Sequence, residues 1–468
     1  MAAQKGDFID DRRIMQLIES AKAGVPREEV VRIIEKASQS DGLTPAEVAV
    51  LLEVQAPDLL EMIYRTAQDI KEQIYGKRLV LFAPLYISDH CVNNCVYCGY
   101  RRHNRFERRK LAMDEIRKEI SVLEEMGHKR IALECGEHPE QCPIDYVLDA
   151  IRTIYEVKVK NGSIRRVNVN IAATSIENFR LLKEAGIGTY ILFQETYHRP
   201  TYARVHPSGP KRNYDWHTCA FDRAMEGGID DVGFGVLFGL YDHKYEVLAL
   251  LLHAMHLEEA FGVGPHTISV PRLRPAAGVE LNKFPHLVAD REFKKIIAVL
   301  RLAVPYTGMI LSTREPARFR DELISVGISQ ISAGSCTGVG GYCKDNNLDR
   351  EEQRLQFAIE DHRTMDEVIM SVCESGYIPS FCTACYRKGR TGDRFMQLAK
   401  TGQIQDVCQP NAILTFKEFL LDYAGPELKA AGESAIRRHH QLIANRKVRR
   451  ITEQRLAEIE HGTRDLYF

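Results

Sequence analysis

The chain has 468 residues, 44% of them hydrophobic, and Lys+Arg 63 against Asp+Glu 64 leaves a net charge of −1. This length buries a large core in one main domain with appendages, and the balanced charge excludes bulk attraction to nucleic acid or an anionic membrane. Twelve cysteines behind an opening Met1-Ala-Ala-Gln-Lys-Gly-Asp-Phe8 with no apolar core point to a reducing cytoplasm with thiols kept for metal, and no apolar run approaches the about 20 residues that span a bilayer.

Apolar residues recur at helical spacing over 11–75, and Thr44-Pro45-Ala46-Glu47 has the form of a capping box with proline at the first helical position. Residues 1–76 are therefore expected to form a helical extension packed over the bottom or side of the main domain. Eight β-rich runs come next, at 79–86, 130–133, 167–172, 189–194, 232–238, 266–271, 309–312 and 328–331, with helical stretches such as 113–126, 175–185 and 291–303 after most of them. This alternation predicts an α/β fold, a (βα)8 TIM-type barrel over 77–335, with a partial six-stranded barrel as the alternative. Such a barrel presents its site at the strand C-termini.

The first run leads into Cys91-Val-Asn-Asn-Cys95-Val-Tyr-Cys98. Three thiolates spaced in this way fold onto three corners of an iron–sulfur cube and leave the fourth iron without a protein ligand. After Gly334 the regular alternation stops, so 336–468 is expected to be a mainly helical C-terminal domain. It carries a second trio, Cys382-Thr-Ala-Cys385 and Cys408, with 22 residues between the last two. Thiolates in this spacing suit an auxiliary iron–sulfur cluster, or equally a zinc ion completed by His362 or Cys373. Most of the other six cysteines read as small buried hydrophobes. The basic stretch 437–450 reads as a solvated helical face.

The stretches Cys91–Gly99, Leu133-Glu-Cys-Gly-Glu137, Phe193-Gln-Glu-Thr-Tyr-His198, Thr201-Tyr-Ala-Arg204, Ser269-Val-Pro-Arg-Leu-Arg-Pro275 and Ser312-Thr-Arg-Glu-Pro316 resemble the aromatic amino acid lyase branch of radical-SAM enzymes, the HydG/ThiH family. The C-terminal trio resembles the HydG type and is not expected in the thiazole-pathway type. The resemblance implies that Cys91, Cys95 and Cys98 hold a [4Fe-4S] cluster with S-adenosylmethionine, contacted by Tyr97, Gly136, Glu137, Glu195 and Arg204. Cys135 replaces the first glycine of the usual Gly-Gly-Glu turn, and Glu195 and Arg204 read equally as a surface ion pair. The resemblance further implies cleavage of L-tyrosine to p-cresol and dehydroglycine, with the substrate carboxylate on Arg314, Arg272 or Arg274.

On Cys382, Cys385 and Cys408 it implies an auxiliary [4Fe-4S] cluster carrying an additional iron, in a [5Fe-5S]-like form. His266 and L-cysteine would ligate that iron, where carbon monoxide and cyanide build a precursor for the [FeFe]-hydrogenase H-cluster. A lone histidine is otherwise most often simply packed or hydrogen-bonded. The implied partners are a hydrogenase-assembly scaffold, other maturases and an electron donor such as a ferredoxin or flavodoxin. Two other readings are a 2-iminoacetate synthase that stops at dehydroglycine and a non-catalytic iron–sulfur carrier.

Overall fold

The computed structural model of the chain describes residues 6–343 and 355–468. Eight parallel strands follow one another round a barrel: β1 (Arg78–Ser88), β2 (Arg130–Cys135), β3 (Arg166–Asn170), β4 (Tyr190–Glu195), β5 (Val232–Val236), β6 (Thr267–Ser269), β7 (Gly308–Leu311) and β8 (Gln330–Ser332). β1 pairs with both β2 and β8, which closes the ring. All eight expected strands form, and the six-stranded alternative is set aside. Helices such as Met113–Glu125, Ile176–Glu184 and Asp290–Ala303 return the chain between strands, and their buried faces complete the core.

Four helices, Asp11–Lys22, Arg27–Ala37, Pro45–Glu53 and Pro57–Tyr75, precede the barrel. The capping box at Thr44 is present, its hydroxyl accepting from the Glu47 amide while the Glu47 carboxylate takes the Thr44 amide. The fourth of these helices packs along Asp290–Ala303 and Ala317–Val326 on the barrel's side. The C-terminal region is mainly helical, as expected, but it also adds a ninth strand, β9 (Ile378–Ser380), parallel to the first residues of β1. Proline is tolerated at Pro379 because β9 is an edge strand, paired only with β1. β9 brings the chain under the barrel, and the helix Gln405–Asp422 packs beside it. Among the described residues no helix is long and apolar enough to cross a membrane.

Candidate active site and second thiol pocket

At the C-terminal ends of the strands the barrel opens on a cavity of about 200 Å³. Cys91, Cys95 and Cys98 all line it. Backbone bonds clamp their loop on several sides: the Val92 amide donates to the Glu137 carbonyl, Asn94 to Ser208, Val96 to Val205 and Gly99 to Gln356. Burial pushes all three thiols up, Cys98 to about 12. They are neutral until a metal takes the proton's place.

Gly136 is pressed against this loop so closely that a Cβ would stand 2.3 Å from the His90 carbonyl oxygen. Glu137 follows it on the cavity wall and accepts from the Asn93 side chain. Tyr97 also lines the cavity, its hydroxyl 2.7 Å from His206 Nε2. Cys135 adds its own thiol to the wall and is hydrogen-bonded to Cys142.

Glu195 reaches the cavity through a break in β4. The register with β5 slips between Phe193 and Glu195, and Glu195 sits at φ +69°, a left-handed conformation that a non-glycine residue adopts at some cost. Its carboxylate pairs with Lys211 Nζ at 2.8 Å, and both residues line the cavity. Arg204 is not beside them. On the helix Arg199–Val205, Tyr202 and Val205 turn inward, so Arg204 faces solvent.

The three candidate arginines also separate. Arg272 and Arg274 both bind the buried carboxylate of Glu315, Arg272 reaches Asp290 as well, and neither lines the cavity. Arg314 does line it, with its guanidinium 3.3 Å from the centre of the Phe357 ring and no ion pair among the described residues. Near it stands Glu134, whose carboxyl burial raises to about 7 against the opposing pull of Tyr86, Arg314 and Asn170. Sequence reasoning missed Lys211 and Glu134. Nothing marked Lys211, which belongs to a loop held by its amide bond to Asn93 Oδ1. Glu134 did carry a signal: Arg130, Ala132 and Glu134 alternate on the inward face of β2, so its carboxyl had to point into the barrel.

A second, smaller pocket of about 50 Å³ lies at the opposite end, under the strand N-termini. Cys382, Cys385 and Cys408 line it together with His266, Arg78, Arg130 and Tyr386. His266 precedes β6 on the barrel's lower rim, and its ring lies 4.6 Å from that of Phe395. His362 is exposed, Cys373 is buried in the core, and neither lines the pocket. Cys385 and Cys408 share a hydrogen bond that pulls the Cys408 thiol down, and Arg78, Arg390 and Arg130 add to that pull. Arg130 also donates to the Cys382 carbonyl at 2.9 Å. Burial raises Cys382, and Cys385 is raised by its hydrogen bond to Cys408, so within the lower trio only Cys408 is drawn toward thiolate.

A closed parallel barrel with a CX3CX2C loop above its first strand defines a radical-SAM enzyme. The Radical SAM superfamily matches residues 85–253, and the Biotin and Thiamin Synthesis associated domain matches residues 269–378. A 2-iminoacetate synthase of Escherichia coli is 32% identical over 348 residues, covering 74% of this chain and 89% of that one. A crystal structure of HydG, a maturase of the [FeFe]-hydrogenase, superposes with a TM-score of 0.96 at 61% identity over 99% of this chain and 100% of the other. HydG from Carboxydothermus hydrogenoformans follows with a TM-score of 0.83 at 40% identity, covering 96% of this chain and 99% of that one. Within the radical-SAM enzymes, this chain belongs to the HydG family.

Proposed function

We infer that the chain cleaves L-tyrosine to p-cresol and dehydroglycine in the upper cavity and turns dehydroglycine into carbon monoxide and cyanide at the lower pocket. The product is an Fe(CO)(CN) precursor for an [FeFe]-hydrogenase assembly scaffold. The observation that carries this reading is the second pocket, where Cys382, Cys385, Cys408 and His266 meet at the far end of the barrel from the first thiol loop.

The residues at both ends fit incomplete iron–sulfur cubes. Cys91, Cys95 and Cys98 line one pocket and Cys382, Cys385 and Cys408 the other, and three thiolates at each end suit three corners of a cubane with the fourth iron left open. When bound, the upper cluster with S-adenosylmethionine supplies a 5′-deoxyadenosyl radical, and the lower one supplies an iron with open positions for carbon monoxide and cyanide.

The chain's own residues position and exclude. Cys91, Cys95 and Cys98 hold the upper cluster, and Gly136 lets backbone approach it where any side chain would collide. Glu137 and the Glu195–Lys211 pair offer fixed polar contacts for the methionine and ribose groups. Arg314, whose guanidinium faces the cavity, receives the substrate carboxylate in a two-pronged bond. Glu134 beside it takes a proton from the substrate ammonium, leaving the neutral amine from which hydrogen is removed. Below, His266 gives the additional iron one protein bond, and L-cysteine supplies further ligands.

The test is anaerobic reconstitution with iron and sulfide, then tyrosine, cysteine and S-adenosylmethionine, with p-cresol, carbon monoxide and cyanide measured together. The reading expects all three from the wild type, and p-cresol without carbon monoxide from Cys385→Ser. A wild type that releases p-cresol alone is a 2-iminoacetate synthase, and one that forms no 5′-deoxyadenosine is a carrier.

A further inference from the structure

Asp231 is a buried charge with no part in tyrosine cleavage at the upper cavity. It stands just before β5, 1% exposed, and neither of its carboxylate oxygens has a hydrogen-bond partner. A buried carboxylate without partners is costly and persists where something nearby offsets it. Its nearest polar neighbour of that kind is His266, whose Nδ1 lies 3.9 Å from Oδ2. The backbone fixes both residues. The Tyr190 amide donates to the Asp231 carbonyl, the His266 amide to the Val232 carbonyl and the Gly308 amide to the His266 carbonyl, so the two side chains hang from neighbouring parallel strands on the lower rim.

Of the other charged groups at this end, Arg166 also feels the Asp231 charge, but no ion pair with it forms among the described residues. Arg166 lies 3.6 Å over the Tyr386 ring, Arg130 binds the Cys382 carbonyl, and Arg78 lines the pocket beside the thiols. With Nδ1 turned to Asp231, the nitrogen left for the pocket is Nε2.

We propose that Asp231 is the positioning residue for His266: its carboxylate accepts Nδ1–H, fixes the ring's tautomer and orientation, and presents the Nε2 lone pair to an iron at the Cys382–Cys385–Cys408 site. The 3.9 Å separation is longer than a hydrogen bond, and a ring turned with Nε2 on an iron would bring Nδ1–H within reach of the carboxylate. A metal-bound imidazole becomes a stronger donor at its other nitrogen. The inference rests on His266 binding the additional iron.

The experiment uses full-length protein carrying both clusters, stripped of the additional iron with a chelator and titrated with iron(II) alone. Iron is counted after desalting, and binding is followed through the change in the lower cluster's paramagnetic resonance. Asp231→Ala is expected to weaken iron(II) binding by about 10- to 100-fold, and Asp231→Asn, which keeps an oxygen acceptor, to fall between it and the wild type. Wild-type iron(II) affinity in Asp231→Ala overturns the proposal. If His266→Ala also keeps wild-type affinity, the reading of His266 fails instead, so the two failures are distinguishable.

Discussion

Three arginines near the ends of β6 and β7 look alike in sequence, yet their surroundings give them different work. Glu315 holds Arg272 and Arg274 in a buried cluster, and removing one partner of a buried ion pair costs up to about 3–5 kcal/mol, less here because Arg274 stays on the carboxylate. Arg272→Ala is therefore expected to lower the melting temperature by several degrees, while Arg314→Ala leaves stability nearly unchanged and raises the KM for tyrosine. Losing a charge-assisted bond of about 1.5–3 kcal/mol corresponds to a rise of roughly 10- to 100-fold, read from p-cresol formation against tyrosine concentration. Equal KM values for Arg314→Ala and the wild type would remove Arg314 from the substrate site. Gly136 makes a second test at this scale. A methyl group there meets the His90 carbonyl oxygen at 2.3 Å and the Cys91 Cβ at 3.1 Å, so Gly136→Ala must shift the thiol loop. Iron counting should show about half the wild-type cluster content, with the lower signal retained. Side-chain chemistry of this kind was only partly legible in the sequence: the cysteines announce themselves by spacing, but whether an arginine is free depends on a carboxylate such as Glu315 arriving from another strand.

The elements were more legible than the contacts they make. The eight barrel strands stand out because β-branched and aromatic runs alternate with amphipathic stretches, whereas β9 is three residues with a proline in the middle and carries no such signature. The break in β4 was equally hidden, since a one-residue slip depends on the partner strand's register. That break is braced from outside the barrel by the helix His243–Phe261. Its Glu246 accepts from the Thr196 hydroxyl and from the Tyr197 amide, the latter at 2.8 Å. Burial pushes this carboxyl up to about 8. A carboxyl raised in the folded chain contributes stability while protonated and loses it as pH climbs from its unfolded value of about 4.3 through the folded value. The melting temperature should accordingly fall between roughly pH 5 and 8, and Glu246→Gln should flatten that decline. A thermal scan in which the variant falls as steeply as the wild type would show that another group sets the slope.

At the scale of the whole molecule, the two pockets lie back to back. Val80 and Phe82, Arg130 and Ala132, Gly308 and Ile310, and Gln330 and Ser332 are pairs on single strands, the first of each lining the lower pocket and the second the upper cavity. Residues two apart on a strand face the same side at about 6.6 Å, so one layer of side chains separates the two sites. Barrel interiors are ordinarily filled by bulky branched residues. Here the layer mixes bulky Phe82, Ile191 and Ile310 with small Ala132, Gly233, Thr267 and Ser332, and the buried hydroxyls of Thr267 and Ser332 have no hydrogen-bond partner. The sequence held these residues in plain view but not their convergence, because each comes from a different strand and only closure of the ring sets them at one level. On the proposed function, the small members of this layer leave a route for dehydroglycine between the ends. Ser332→Leu tests this directly by adding bulk where the pockets approach. If the intermediate travels through the barrel, the ratio of carbon monoxide to p-cresol falls several-fold in the variant, and glyoxylate, the hydrolysis product of dehydroglycine, appears in solution in its place. An unchanged ratio, with both clusters counted as present, would mean that the intermediate leaves by the upper mouth and reaches the lower pocket from outside.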